Sequence, residues 1–104
     1  MGFDDSFAVE RLELAGDGVR LAASAFGPGG GPVVLLLHGA GQTRHSWHRT
    51  AEAIGREGMR AIAIDARGHG DSAPAPGGDY RTDAFVSDLL AVLDGLDAPP
   101  VVVG

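Results

Sequence analysis

Apolar and polar positions alternate early in the chain and fall into helical stripes later. Phe7, Val9, Leu12 and Leu14 alternate imperfectly with polar residues, and Val19, Leu21 and Ala23 resume after Ala15-Gly16-Asp17-Gly18. This pattern predicts an antiparallel hairpin. Gly27-Pro28-Gly29-Gly30-Gly31-Pro32 holds no regular structure, because proline removes a donor and glycine loses the most entropy on ordering. It is a loop into Val33-Val34-Leu35-Leu36-Leu37, which is apolar on both faces, as in a parallel strand covered by helices on each side.

Between His45 and Glu57 the apolar positions Trp47, Ala51 and Ile54 step by four and three, which predicts a helix with Gly58 as its left-handed cap. Arg60-Ala61-Ile62-Ala63-Ile64-Asp65 is a second buried strand, and a strand-helix-strand unit of this length is a right-handed parallel crossover. Ala66 to Asp79 has no period and is rich in Gly, Pro, Ser and Asp, so it is expected to form a long surface loop. Thr82 is placed to cap a helix whose face is Phe85, Leu89, Leu93 and Leu96, with Asp83 against the positive end of its dipole. Ala98-Pro99-Pro100 ends it, and Val101-Val102-Val103-Gly104 opens a third buried strand. A parallel valine strand needs neighbours and cover, so the chain reads as one α/β domain, residues 1–104, cut inside its sheet. Lacking the rest of its cover, it is expected to be aggregation-prone or partly molten.

Composition narrows the function. With 44% hydrophobic and 21% charged residues, the 104-residue chain has enough apolar surface to fold, unlike a disordered one. A net charge of −6 repels phosphates and argues against nucleic acid. The absence of cysteine removes disulfides, a thiolate nucleophile and thiolate metal sites. Met1-Gly2-Phe3-Asp4-Asp5 is acidic where a secretory signal is basic, and no apolar run approaches the roughly 20 residues of a membrane span, so a cytoplasmic protein with no membrane partner is expected. Met1-Gly2 with Ser6 fits an acylation pattern too short to carry weight.

Two short motifs stand at strand ends: His38-Gly39-Ala40-Gly41, and Asp65-Ala66-Arg67-Gly68-His69-Gly70-Asp71-Ser72. With these the sequence resembles the α/β-hydrolase superfamily over nearly its whole length. The resemblance implies the first half of that fold's sheet, with the Ile62 strand beside the Leu36 strand and the Val102 strand on its other side. It also implies that Ala40 presents a backbone N–H to the oxyanion of an acyl intermediate, where each such donor is worth a few kcal/mol. Gly39 and Gly41 would let the backbone approach substrate, and His38 would support the loop from beneath. In the second motif Asp65, Arg67, Gly68, Gly70 and Ser72 would be scaffold, with Arg67 tying the loop by hydrogen bonds. Trp47 would stand near the active-site entrance or pack in the core, and core packing is the expectation. Gly104 would be the first glycine of the nucleophile elbow, leaving the nucleophile, acid and histidine outside this sequence. By the resemblance these 104 residues alone are inactive, and the whole acts on a small-molecule substrate without a cofactor. Ester, amide, epoxide, halide and peroxidase-type chemistry stay open, as does oligomeric state.

Other readings compete. Gly39-x-Gly41 after a strand, with Asp65 ending the next, mimics a Rossmann dinucleotide unit, but Arg44 stands where the fingerprint needs a small residue. His45 and His48, with Glu52, have a metal-compatible spacing but no evident third ligand, so no metal is expected. His69 is expected on the surface. A vestigial, non-catalytic piece is the third reading.

Overall fold

The computed structural model describes residues 9–104. Phe7 and the Met1–Ser6 segment lie outside these. Strands β1 (Glu10–Ala15) and β2 (Arg20–Phe26) form the expected hairpin, paired antiparallel from Glu10 opposite Ala25 to Ala15 opposite Arg20. Next come β3 (Val33–Leu37), a 3-10 turn (Arg44–Trp47) running into α1 (His48–Arg56), β4 (Arg60–Ile64), α2 (Thr82–Asp94) and β5 (Val101–Val103). The five strands make one sheet in the order β1-β2-β4-β3-β5. β3 pairs parallel with β4 and with β5, while β2 closes on β4 antiparallel.

The double-sided apolarity of β3 is explained by a helix on each face. Val34 and Leu36 pack with Phe26, Ala51, Ala61 and Ala63 on the α1 side, where Trp47 and Ile54 cover them. Leu35 packs with Leu21, Ile62, Ile64 and Val92 on the α2 side. Leu35 and Leu36 are fully buried, each stabilising the fold by roughly 1.5–3 kcal/mol. Trp47 is therefore a core residue, and its Nε1–H is buried without an acceptor among the described residues.

Local chemistry departs from expectation at three places. The segment before α1 opens as a 3-10 turn because the Thr43 hydroxyl accepts from the His45 N–H, so the regular helix begins only at His48. Thr82 is not the cap of α2. It is already helical, Arg81 holds the extended cap position, and no side chain caps the first turn, where Asp83 supplies the negative charge. Leu96 lies beyond the helix but packs on the same core. The 66–79 segment is more than a surface loop: Arg67, Ser72 and Ala75 are buried, and a 3-10 turn (Pro76–Gly78) interrupts it. At its end β5 forms the open edge of the sheet, with Val101, Val102 and Val103 exposed at 62%, 41% and 37%. Among the described residues no helix is long and apolar enough to cross a membrane.

Candidate active site

The C-terminal ends of parallel strands are where α/β sheets place ligand sites, because loops leave there and backbone groups are unpaired. Here the loops after β3 and β4 meet, and a cavity of about 360 Å³ opens beside them. Its apolar wall comes from the sheet (Leu21, Leu37, Ile64) and from α2 (Phe85, Leu89, Val92). The rest is His38, Gly39, Ala40, Ala66, His69 and Asp88.

The loop after β3 is held from both ends. His38 Nδ1–H donates to Gly39 O (2.8 Å), so Nε2 carries the lone pair and accepts from the Ala66 N–H (3.0 Å). One neutral imidazole thus joins the two strand-end loops, and both its nitrogens are engaged. The Gly39 N–H donates to Gln42 Oε1 (3.1 Å) and the Gln42 N–H returns to Gly39 O (3.1 Å). Ala40 lines the cavity, and its N–H finds no acceptor among the described residues. A Cβ at Gly39 would meet Gln42 Oε1 at 3.3 Å, whereas one at Gly41 would meet nothing within 4 Å. Gly41 has a φ of 75°, which by itself calls for glycine.

Beneath the loops lie two buried ion pairs. Asp65 is fully buried and accepts from the Arg44 N–H (2.6 Å), the Arg44 guanidinium and the Asp71 N–H (3.0 Å). Burial pushes its pKa up, but the Arg44 and Asp71 backbone donors and the Arg44 charge outweigh this and hold the carboxyl below its ordinary value. Arg44 donates further to Ser24 Oγ (2.8 Å) and Asp71 Oδ2 (3.0 Å). This arrangement overturns the dinucleotide reading: the carboxylate that would take a ribose hydroxyl is sealed under Arg44, and the place beside β4 is taken by the β1-β2 hairpin, while β5, reached through α2, pairs on the far side of β3.

The second pair joins Arg67 to Asp88 of α2 by two bonds of 2.7 Å. The Asp88 carboxylate raises the Arg67 pKa despite its burial. Arg67 also donates to Asp79 O (3.0 Å) and Asp17 O (3.3 Å), and the Asp17 N–H donates to Asp88 Oδ1 (2.8 Å). So Arg67 ties the hairpin turn, the loop and α2 together. Ser72 Oγ donates to Asp65 O (2.6 Å) and accepts the Ala22 N–H (2.8 Å), anchoring the same loop to β2. Gly70 has a φ of 51°, and a Cβ there would strike the Asp65 carboxylate. Gly68 is likewise left-handed, with the Tyr80 ring where its Cβ would be.

His69 is not a surface residue. It is half-buried on the cavity wall, its ring 5.2 Å from that of His38 and 6.4 Å from that of Phe85. His45 and His48 are exposed, His48 Nε2 standing 3.9 Å from Glu52, and no three metal-ligating side chains group together among the described residues. Gly104 follows β5, 3.8 Å from Leu37 Cβ by its own would-be Cβ, so β5 leaves the sheet beside the cavity's β3 wall.

Residues 32–104 match the model of the alpha/beta hydrolase fold family. The chain belongs to that family. It is 38% identical over 97 residues to an epoxide hydrolase of Caballeronia sordidicola, covering 92% of this chain and 29% of the relative. Epoxide hydrolase 3 of Siraitia grosvenorii is 37% identical over 89 residues, covering 85% and 28%. Among solved structures, an epoxide hydrolase from Vigna radiata superposes with a TM-score of 0.80 at 32% identity, over 89% of this chain and 30% of that one. A thioesterase domain from the curacin biosynthetic pathway gives 0.85 at 29% identity, over 94% and 37%. The chain spans under a third of the length of the curated hydrolases it matches.

Proposed function

We propose that these residues supply the oxyanion loop and one side of the substrate pocket of a hydrolase that opens epoxides. The observation that carries this is Ala40 on the wall of an apolar cavity at the strand ends, with its N–H unpartnered among the described residues. In a nucleophilic mechanism a carboxylate opens the epoxide ring to an ester, and water then attacks that ester through a tetrahedral oxyanion. A preorganised amide donor stabilises this charge because the site need not reorganise as it develops. The nucleophile, its acid partner and the catalytic histidine come from outside residues 1–104. His38, with both nitrogens committed to the loops, is a support and not the base. The substrate is a small, largely apolar molecule and no cofactor takes part; neither nucleic acid nor a membrane is a partner.

A second reading, ester or thioester hydrolysis, is favoured by the superposition on the thioesterase domain, since the same amide would serve an acyl oxyanion directly. Turnover of styrene oxide and of a p-nitrophenyl ester by the protein at the length its gene encodes separates the two. Diol formation with weak ester cleavage is expected. Ester cleavage alone would replace the first reading by the second, and inactivity toward both would sink them together. Residues 1–104 expressed by themselves are expected to turn over neither.

A further inference from the structure

The cavity wall carries six side-chain nitrogen and oxygen atoms, on His38, Asp88 and His69. Five are already engaged. His38 uses Nδ1 on Gly39 O and Nε2 on the Ala66 N–H. Asp88 Oδ1 receives Arg67 and the Asp17 N–H, and Oδ2 receives Arg67 again. His69 uses Nδ1 on Arg67 O at 2.9 Å. Its Nε2 alone has no partner among the described residues.

The bond that is made dictates what the free atom is able to do. A carbonyl oxygen only accepts, so Nδ1 of His69 must carry the proton, and in the neutral ring Nε2 is a bare lone pair. That orientation is fixed, because Arg67 is itself held by Asp88, Asp79 O and Asp17 O. The ring is further packed between His38 and Phe85. Among the described residues, His69 Nε2 is therefore the one side-chain acceptor left open on this wall, in largely apolar surroundings, and Ala40, with its unpartnered amide, lines the same wall. A pocket with few placed polar groups uses them to orient its ligand.

We propose that His69 contacts the substrate and sets specificity: its Nε2 accepts an O–H or N–H from the bound molecule. Apolar substrates carrying one such donor are thereby preferred over analogues without it. This rests on the cavity being the substrate pocket of the proposed hydrolase. One neutral hydrogen bond of this kind corresponds to a preference of roughly 3- to 10-fold.

The test is a binding titration, independent of turnover, on the protein at its gene-encoded length with ¹⁵N-labelled histidine. The probes are 3-phenylpropan-1-ol and its methyl ether, which keeps the oxygen and lacks the donor. Binding of the alcohol about 3- to 10-fold tighter, with a change in the His69 Nε2 resonance that the ether does not produce, is the expected result. His69→Phe should abolish the preference while both compounds still bind, and His69→Gln, which retains an acceptor, should restore part of it. If His69→Phe does not fold, the wild-type resonance decides. Equal affinities with an unmoved Nε2, or no binding of either probe, would overturn the inference. Failure to hydrolyse styrene oxide with the alcohol preference intact would instead overturn the epoxide reading and leave His69 as a ligand contact.

Discussion

Asp65 and Gly70 show how far single residues fix this site. Asp65 sits with three donors in the interior, so replacing it with alanine leaves the Arg44 guanidinium buried without its main counter-charge. Breaking a buried pair in this way costs about 3–5 kcal/mol, and Asp65→Ala should lower the denaturant midpoint accordingly. The pH dependence follows from the sign of the shift. The folded pKa lies below 3.8, so the unfolded chain takes up the proton first on acidification. The stabilisation is complete above that unfolded value and is lost as the pH falls through the folded one. Chemical denaturation between pH 6 and pH 2.5 should therefore show a loss of stability that is flatter in Asp65→Asn. A wild-type curve as flat as the variant's would contradict it. Gly70→Ala places a methyl on the Asp65 carboxylate at a left-handed φ and should destabilise the fold by more than the roughly 1 kcal/mol typical of a point mutation. Asp79, held down to about 2 by Arg81, is an exposed pair, and its replacement should leave stability almost unchanged.

At the scale of elements, strand periodicity and turn chemistry specify most of the sheet. The Val33–Leu37 run is legible as a doubly covered strand because its two faces meet α1 and α2, and the parallel crossover follows from the length between β3 and β4. What pattern reading misses is pairing between distant charges. Asp88 interrupts an apolar helical stripe between Ala84 and Val92, and a charge in such a place signals a buried partner. Its partner Arg67 lies in another motif, and nothing local pairs the two. Arg44 likewise reads as a mere departure from a glycine fingerprint until the fold sets it on Asp65. His69 is misplaced for the same reason: polar, glycine-flanked residues are usually exposed, but Arg67 draws this loop inward over α2. If Arg67 and Asp88 clamp the loop as one unit, Arg67→Ala and Asp88→Ala should be non-additive, with a coupling of about 1–3 kcal/mol in a double-mutant cycle. Additive effects would mean that the loop is held by other contacts.

For the molecule as a whole, the open β5 edge governs behaviour in isolation. Its three exposed valines offer unpaired backbone and apolar surface to any neighbouring strand. Residues 1–104 expressed alone should self-associate with rising concentration, and Val102→Lys should reduce this without unfolding the chain. Analytical ultracentrifugation showing a monomer at all concentrations would refute the expectation.

The two strand-end loops, joined by His38 and seated on two buried ion pairs, have one consequence that reaches the chemistry: among the described residues nothing takes the N–H of Ala40, which lines the cavity. The most direct measurement is kcat for styrene oxide in Ala40→Pro, which removes that N–H, against Ala40→Ser, which keeps it, both in the protein at its gene-encoded length. Loss of one oxyanion donor predicts a fall of about 100- to 1,000-fold in the proline variant, with the serine variant near wild type and both melting as folded proteins. A proline variant that folds and retains wild-type kcat would show that the Ala40 amide has no part in catalysis.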